Sequence, residues 1–168
     1  MSWLRIVGLC VSMAIGYGVL HDLVTAQVCV EYFSIGHEDL FGSEHPVVLA
    51  VGWGVVATWY IGAALAIPLI CAARLGTAPP RGARELVRPL LILLGAMASC
   101  ALLAGVIGWW AARSFALTVP GMLGDLVPRA QHAHFIAVWC AHAASYLSAV
   151  IGGLVVLPLV VWQQRQAA

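Results

Sequence analysis

The chain has 168 residues, of which 62% are hydrophobic and only 9% are charged. Soluble globular domains carry about 25% charged residues, so this composition excludes that class and predicts an integral membrane protein. Eight arginines, no lysine and seven acidic residues leave a net charge of +1 without a basic stripe, which argues against a nucleic-acid partner.

Four apolar stretches are long enough to cross roughly 30 Å of hydrocarbon, which takes about 20 helical residues. They run over residues 3–30, 47–73, 89–112 and 133–161, and segments 31–46, 74–88 and 113–132 connect them. Pro68 predicts a kink in the second span, and Pro89 predicts the start of the third. Small residues at a spacing of four in the third span predict close packing or an oligomer interface. These pairs are Gly95 and Ser99, Ala101 and Gly105, and Ala104 and Gly108. The prediction is a single all-α domain, an integral membrane four-helix bundle in the lipid bilayer.

Arginine placement predicts the orientation of this bundle, because short arginine-rich loops stay in the cytoplasm. Arg5, Arg165 and the four arginines of segment 74–88 lie on one side, whereas Arg113 and Arg129 lie on the other. We therefore expect a bacterial inner (plasma) membrane protein with both termini cytoplasmic (N-in/C-in). The first and third connections then face the outside.

The ionisable residues are strongly biased toward this outer side. All six histidines and six of the seven acidic residues lie there, and an ionisable group within a span marks a functional site by default. At about 1.5 Å per residue, His21 and His142 both lie about 27 to 30 Å from the inner ends of their spans. If both helices continue straight, Glu31 and His132 also lie at matching heights, further out. These side chains are predicted to line one crevice.

Imidazole and carboxylate side chains in such a crevice favour zinc, iron or copper over calcium or magnesium. The predicted metal ligands are His21, Glu31, His37, His132 and His142. Asp22 is predicted to hydrogen-bond a metal-bound histidine rather than to bind the metal itself, because such a histidine usually donates its second N–H to a carboxylate. Tyr146 is placed beside the site because it follows His142 by one helical turn. The alternative is structural, with His21 and Asp22 satisfying each other and the neighbouring backbone.

The five cysteines predict no disulfide framework, since they are odd in number and scattered through the spans. Cys29 and Cys140 are the only two near the outer side, and their depths differ by about 9 Å, which exceeds disulfide geometry. All five are expected to be buried apolar thiols.

The segment from His21 to His37 reads HDLVTAQVCVEYFSIGH, and two further tryptophan-containing segments follow it. These are Gly52-Trp53-Gly54 with Trp59-Tyr60, and the stretch from Trp139 to Tyr146. The pattern resembles a family of uncharacterised bacterial four-span membrane proteins of about this size. The resemblance covers most of the chain and carries no activity. It implies only that the polar residues of the first block belong together.

Three functions remain open at this level. The first is a metal-binding protein whose site opens to the outer (periplasmic) face, with metal-dependent enzyme chemistry as a further step. The second is an electron-transfer subunit in which His21 and His142 are axial ligands of haem b. The third is a non-catalytic accessory subunit that docks a protein partner. A transporter is disfavoured, because the inner half of the bundle is nearly free of ionisable side chains.

Overall fold

The structure, a computed structural model, describes residues 2–166 and is helical throughout that range, with loops between the helices. The helices are α1 (Ser2–Val28), α2 (Glu31–Ser34), α3 (Pro46–Val56), α4 (Trp59–Arg74), α5 (Ala83–Ser114), α6 (Gly121–Leu126), α7 (His132–Ile151) and α8 (Leu157–Gln166). A 3-10 turn, Arg129–Gln131, precedes α7, and a π-helical segment, Gly152–Val156, joins α7 to α8.

Four of these helical stretches are long and apolar enough to cross a membrane, by length and composition. They are Trp3–Val28, Pro46–Arg74, Ala83–Ser114 and Arg129–Gln166. The predicted all-helical fold with four candidate spans is therefore confirmed. The N-in/C-in orientation stays a prediction.

The helices of the second and third spans differ from the sequence prediction. The second span, predicted as one stretch over residues 47–73, is interrupted at Ala57 and Thr58 between α3 and α4, and Pro68 lies inside α4. Helix α5 begins at Ala83 rather than at Pro89, since the Glu85 carboxylate accepts the Gly82 N–H at 2.7 Å and caps the helix start. Pro89 therefore lies inside the helix.

Glycines let the helices approach closely at two interfaces. A Cβ at Gly54 in α3 would lie 2.6 Å from the Val19 Cα of α1, so only glycine fits there. A Cβ at Gly108 in α5 would lie 2.8 Å from the Cys140 Sγ of α7. The small residues of the third span thus serve packing within the chain at Gly108, whereas Gly95 is exposed and has open space around it.

The bundle interior has two apolar ends with a polar layer between them. Residues from α1, α4, α5 and α8 pack at one end, which we call the α8 end: Ile6, Leu69, Leu86, Leu157 and Val161. At the other end, the α2 end, two clusters contain Ala26, Cys29, Phe33, Leu49, Phe135 and Val138. The polar layer consists of Tyr17, His21, Asp22, His142 and Ser145. This layer is where ionisable chemistry can take place inside an otherwise apolar bundle.

A buried arginine organises the α8 end. Arg165 is only 2% exposed, and its guanidinium donates to the carbonyl oxygens of Ala72 (2.9 Å), Leu75 (2.6 Å), Pro79 (3.0 Å) and Ala78. The positive charge therefore satisfies carbonyls at the C-terminal end of α4 and in the loop that follows it.

Candidate metal centre

The hydrogen bonds of His142 define what its second ring nitrogen can bind. Nδ1 lies 2.9 Å from the Val138 carbonyl oxygen one turn earlier in α7. Because a carbonyl oxygen only accepts, Nδ1 carries the proton and donates it. Nε2 lies 3.2 Å from Oδ1 of Asp22, a second acceptor. In the neutral ring Nε2 carries a lone pair and no proton, so it faces the Asp22 oxygen as a second acceptor. Because two acceptors repel each other at this distance, a proton or a metal cation has to lie between His142 and Asp22.

The spacing of these two atoms fits a shared metal ion. Two ligand atoms that each lie about 2.0–2.1 Å from a tetrahedral zinc ion are about 3.3 Å apart. The observed 3.2 Å between Asp22 Oδ1 and His142 Nε2 is close to this value. The same distance is also that of an ordinary hydrogen bond between the two side chains, so a proton fits between them as well.

His21 completes a group of three potential ligands. One ligand atom from each of His21, Asp22 and His142 lies within 4.8 Å of the other two. The His21 and His142 rings are 4.5 Å apart between centroids and meet edge to face. His21 Nε2 is buried and has no hydrogen-bond partner, which is a costly state for a polar atom in an apolar bundle. A bound cation is one way to satisfy a ring nitrogen in this group.

The group opens onto a small cavity in the bundle interior. The cavity has a volume of about 80 Å³, enough for a few water molecules, and runs from the polar layer toward the α8 end. Tyr17, Ser145 and Tyr146 line it beside the three candidate ligands, and the Tyr17 hydroxyl and Ser145 Oγ are hydrogen-bonded at 2.8 Å. A small polar molecule in this cavity would lie next to the candidate ligands.

Aromatic side chains cover the group at the α2 end. Helix α1 ends at Val28, and the chain turns so that the Tyr32 and Phe33 rings lie 4.6 and 5.7 Å from the His142 ring. Burial raises the pKa of the Tyr32 phenol well above its usual value, so the hydroxyl stays protonated. His37 packs behind this cover, 4.7 Å from the Trp53 ring. The first connection, whose conformation the sequence does not specify, therefore folds over the site.

The structure does not bring the predicted ligand Glu31 to this group. The prediction assumed that the first helix continues straight as far as Glu31, but α1 ends at Val28 and Glu31 begins a separate short helix, α2. Glu31 Oε2 instead accepts the Cys29 thiol at 3.4 Å. Burial raises the pKa of that thiol to about 12, so Cys29 remains a neutral donor.

His132 is also separate from the group, and its hydrogen bonds explain why. Nδ1 accepts the Val119 N–H at 3.2 Å, and Nε2 donates to the Val127 carbonyl at 3.0 Å. With both ring nitrogens engaged, His132 has no lone pair for a metal. It ties the loop between α5 and α7 to the start of α7, a structural role.

The remaining predicted residues lie around the group. His37 Nδ1 is hydrogen-bonded to the Tyr32 carbonyl at 2.8 Å, which places this ring in the aromatic cover rather than among the three grouped ligands. Asp22, predicted as the partner of a metal-bound histidine, lies beside His142, and its oxygen is close enough to be a ligand itself. Tyr146 lines the cavity. The cysteines are not all buried, since Cys71 and Cys100 are exposed on the helix surface.

The haem alternative meets a steric difficulty at this site. Two axial histidines hold the porphyrin plane between their rings. The His21 and His142 rings contact each other directly, with their centroids 4.5 Å apart. No gap for a macrocycle separates them.

Sequence reasoning missed the carbonyl of Val138 and the Tyr17–Ser145 pair. The first could have been found, because a histidine in a helix can reach the carbonyl four residues earlier. No family model, curated protein or solved structure matches this chain. The case for a function therefore rests on the residues of the site.

Proposed function

We propose that this chain is a membrane-embedded metal-binding protein in which His21, Asp22 and His142 hold one divalent transition-metal ion. The observation that carries the proposal is the pair of lone-pair atoms on Asp22 and His142, 3.2 Å apart, with the second nitrogen of His142 committed to a carbonyl. Metal-bound histidines commonly donate a hydrogen bond from the ring nitrogen that does not bind the metal, and this bond fixes their tautomer.

The ligand types favour zinc, iron or copper, since imidazole nitrogen and one carboxylate suit these ions better than calcium or magnesium. Three protein ligands leave a fourth position open, which is the arrangement of catalytic rather than structural zinc sites. The cavity lined by Tyr17, Ser145 and Tyr146 offers space for water or a small substrate at that position. If a substrate binds at that position, the proposed metal site would also support metal-dependent catalysis, which is a further step beyond metal binding.

Location and orientation belong to the same proposal. The arginine distribution supports a plasma membrane protein with both termini cytoplasmic, which puts the metal group toward the outer face. Reporter fusions after Gln166 test this. A fluorescent protein that matures in the cytoplasm should be active there, and a phosphatase that folds only outside should be inactive. The exposed face with Gly95 and Ser99 is the proposed contact for a second copy or a partner helix.

Metal binding to the purified, chelator-treated protein tests the proposed site. Elemental analysis and an absorption spectrum come first, followed by titration with zinc and with cobalt, whose visible spectrum reports tetrahedral coordination. We expect one ion per chain. His21→Ala and His142→Ala should each weaken binding by about 100-fold or more, since each removes one of three ligands. His45→Ala is the matched control, because His45 is an exposed histidine in the first connection.

Four outcomes would contradict the proposal. Equal affinity in wild type, His21→Ala and His142→Ala would exclude these ligands. Loss of binding in the His45→Ala control would assign it to the loop. An absorption band characteristic of haem in the purified protein would transfer the function to electron transfer, and absence of both metal and chromophore would favour an accessory subunit.

A further inference from the structure

The proposed ligands do not neutralise a divalent ion. Asp22 is the one carboxylate of the metal group, and His21 and His142 bind a metal as neutral imidazoles. The ion and its three ligands therefore keep one positive charge. Among the described residues that line the interior cavity, Asp22 is also the only acidic one. Because an isolated charge in an apolar interior is costly, the open fourth position favours a ligand with a single negative charge.

A pair of hydroxyl groups next to the histidines can hydrogen-bond such a ligand. Tyr17 lies one helical turn before His21 in α1, and the two rings are stacked with their centroids 5.7 Å apart. Ser145 follows His142 by three residues in α7. The Tyr17 and Ser145 hydroxyls are hydrogen-bonded to each other at 2.8 Å and have no other partner in the described chain. This bond uses one of the two hydroxyl protons, so the pair can donate the second one to an oxygen in the cavity.

The cavity becomes apolar beyond the hydroxyl pair. Met13 and Ala149 line it one helical turn from Tyr17 and Ser145 toward the α8 end, together with Leu94 of α5. A buried water needs roughly two to four polar partners, so water is poorly held in this part. The volume of about 80 Å³ corresponds to about three non-hydrogen atoms at the roughly 30 Å³ that each has in liquid water. The space fits a small group that is polar at one end and apolar at the other.

We infer that the open metal position takes one short-chain carboxylate of about the size of acetate, an inference that rests on the proposed metal site. One carboxylate oxygen binds the ion and cancels its remaining charge. The second oxygen accepts the free proton of the Tyr17–Ser145 pair, and the methyl group lies against the apolar wall. Hydroxide supplies the same charge but leaves the apolar part of the cavity empty. Bicarbonate brings a hydroxyl group that finds no partner there.

Visible spectra of the cobalt-loaded protein test the inference, in detergent and in a buffer free of carboxylates. An anion that binds the ion changes the cobalt bands, so a titration gives its affinity. Acetate should bind about fourfold more tightly than formate, which lacks the methyl group. It should bind about tenfold more tightly than pentanoate, which is three carbons longer and overfills the cavity. Bicarbonate should bind about fivefold more weakly than acetate, because its hydroxyl group is left unpaired.

A double substitution tests the hydroxyl pair. Either hydroxyl alone can turn its proton toward the anion, so the decisive variant removes both. Tyr17→Phe with Ser145→Ala should keep the cobalt spectrum of the anion-free protein and weaken acetate binding about tenfold, the effect of a hydrogen bond to a charged group. Tyr60→Phe with Ser99→Ala is the matched control. Both of these residues are exposed, and neither lines the cavity.

A shorter side chain in the wall tests whether the anion lies inside the cavity. Leu94→Ala removes three carbon atoms from the wall, so it should tighten pentanoate binding about tenfold and abolish the preference for acetate. Leu103→Ala is the matched control, because Leu103 is exposed on the same helix and does not line the cavity.

Cobalt that binds but does not respond to acetate would overturn the inference and leave the metal site intact. Equal affinity for acetate and pentanoate in wild type, tighter binding of bicarbonate than of acetate, or unchanged acetate affinity in the double variant would do the same. If no cobalt binds, the metal site fails, and the anion site fails with it because the ion supplies its charge. The cobalt spectrum without any added anion distinguishes these two failures.

Discussion

Replacing Asp22 with asparagine distinguishes two interpretations of Asp22, as a metal ligand or as the partner of His142 in a buried ion pair. The amide introduced by Asp22→Asn has nearly the same shape as the carboxyl group, and its NH₂ can donate to the lone pair on His142 Nε2. The Nδ1 proton on the Val138 carbonyl stays in place. The metal-free protein thus keeps a neutral hydrogen bond at this position, whereas the metal loses its only anionic ligand in the group.

The two interpretations predict different magnitudes. If His142 and Asp22 are neutral or bridged by a metal, the metal-free variant exchanges one neutral hydrogen bond for another, a change within about 1 kcal/mol. For a chain of this size that shifts the apparent melting temperature by about 4 °C or less. If they are a buried ion pair, the variant leaves an uncompensated imidazolium and loses about 3–5 kcal/mol, or about 10 °C.

The assay compares melting temperatures in one detergent with chelator and with added zinc. Wild type should be stabilised by zinc, and Asp22→Asn should not, because its zinc affinity falls by about 100-fold. Glu38→Gln, an exposed acid in the first connection, is the control and should behave as wild type. A fall of about 10 °C in the metal-free variant, or unchanged stabilisation by zinc, would refute the reasoning.

Three further substitutions test other parts of the structure. His132→Ala leaves the Val119 N–H and the Val127 carbonyl without partners, so it should cost about 3 kcal/mol in thermal unfolding without changing metal stoichiometry. Arg165→Met removes the donor to four carbonyls at the α8 end and should lower the melting temperature by about 10 °C, with zinc affinity unchanged; an unaltered melting temperature would contradict this clamp. Tyr32→Ala opens the aromatic cover, so chelator should remove bound metal several times faster, whereas Tyr32→Phe should leave that rate near wild type.

The sequence predicted the part of the site that depends on helix geometry alone. His21 and His142 lie on two apolar helices that are continuous through those positions, so a constant rise per residue was enough to place them at one level. Their observed ring separation of 4.5 Å follows from that shared depth. Asp22 came with them because it is the next residue in the chain.

The prediction for Glu31 depended on where α1 ends, and the sequence carries no signal for that end. Neither glycine nor proline occurs between Thr25 and Phe33, and the hydrophobic pattern continues through the break at Cys29 and Val30. The end of the helix is set by tertiary packing, in which Phe33 is buried beside Leu49 and Ala50 of α3. That packing turns Glu31 away from the histidines and brings Tyr32 over them.

The start of α5 and the placement of His132 also depend on contacts that the hydrophobic pattern does not predict. Helix α5 starts at Ala83 because one carboxylate caps it, an effect that the strong preference for proline at a helix start concealed. His132 was predicted as a ligand because its expected height matched that of Glu31. Its partners, Val119 and Val127, come from a loop whose path no periodicity describes.

The unsatisfied polar atoms give a separate reason to assign binding to the metal group. Among the described residues, three buried side-chain atoms lack a hydrogen-bond partner: His21 Nε2, Trp53 Nε1 and His134 Nδ1. The first belongs to the metal group, the second to the aromatic cover beside His37, and the third to the first turn of α7. An apolar side chain at each position would avoid the cost of a buried unpaired nitrogen. Of the three atoms, His21 Nε2 is the one that lies in a group of potential metal ligands, so a bound ion there would remove a cost that packing alone leaves unexplained.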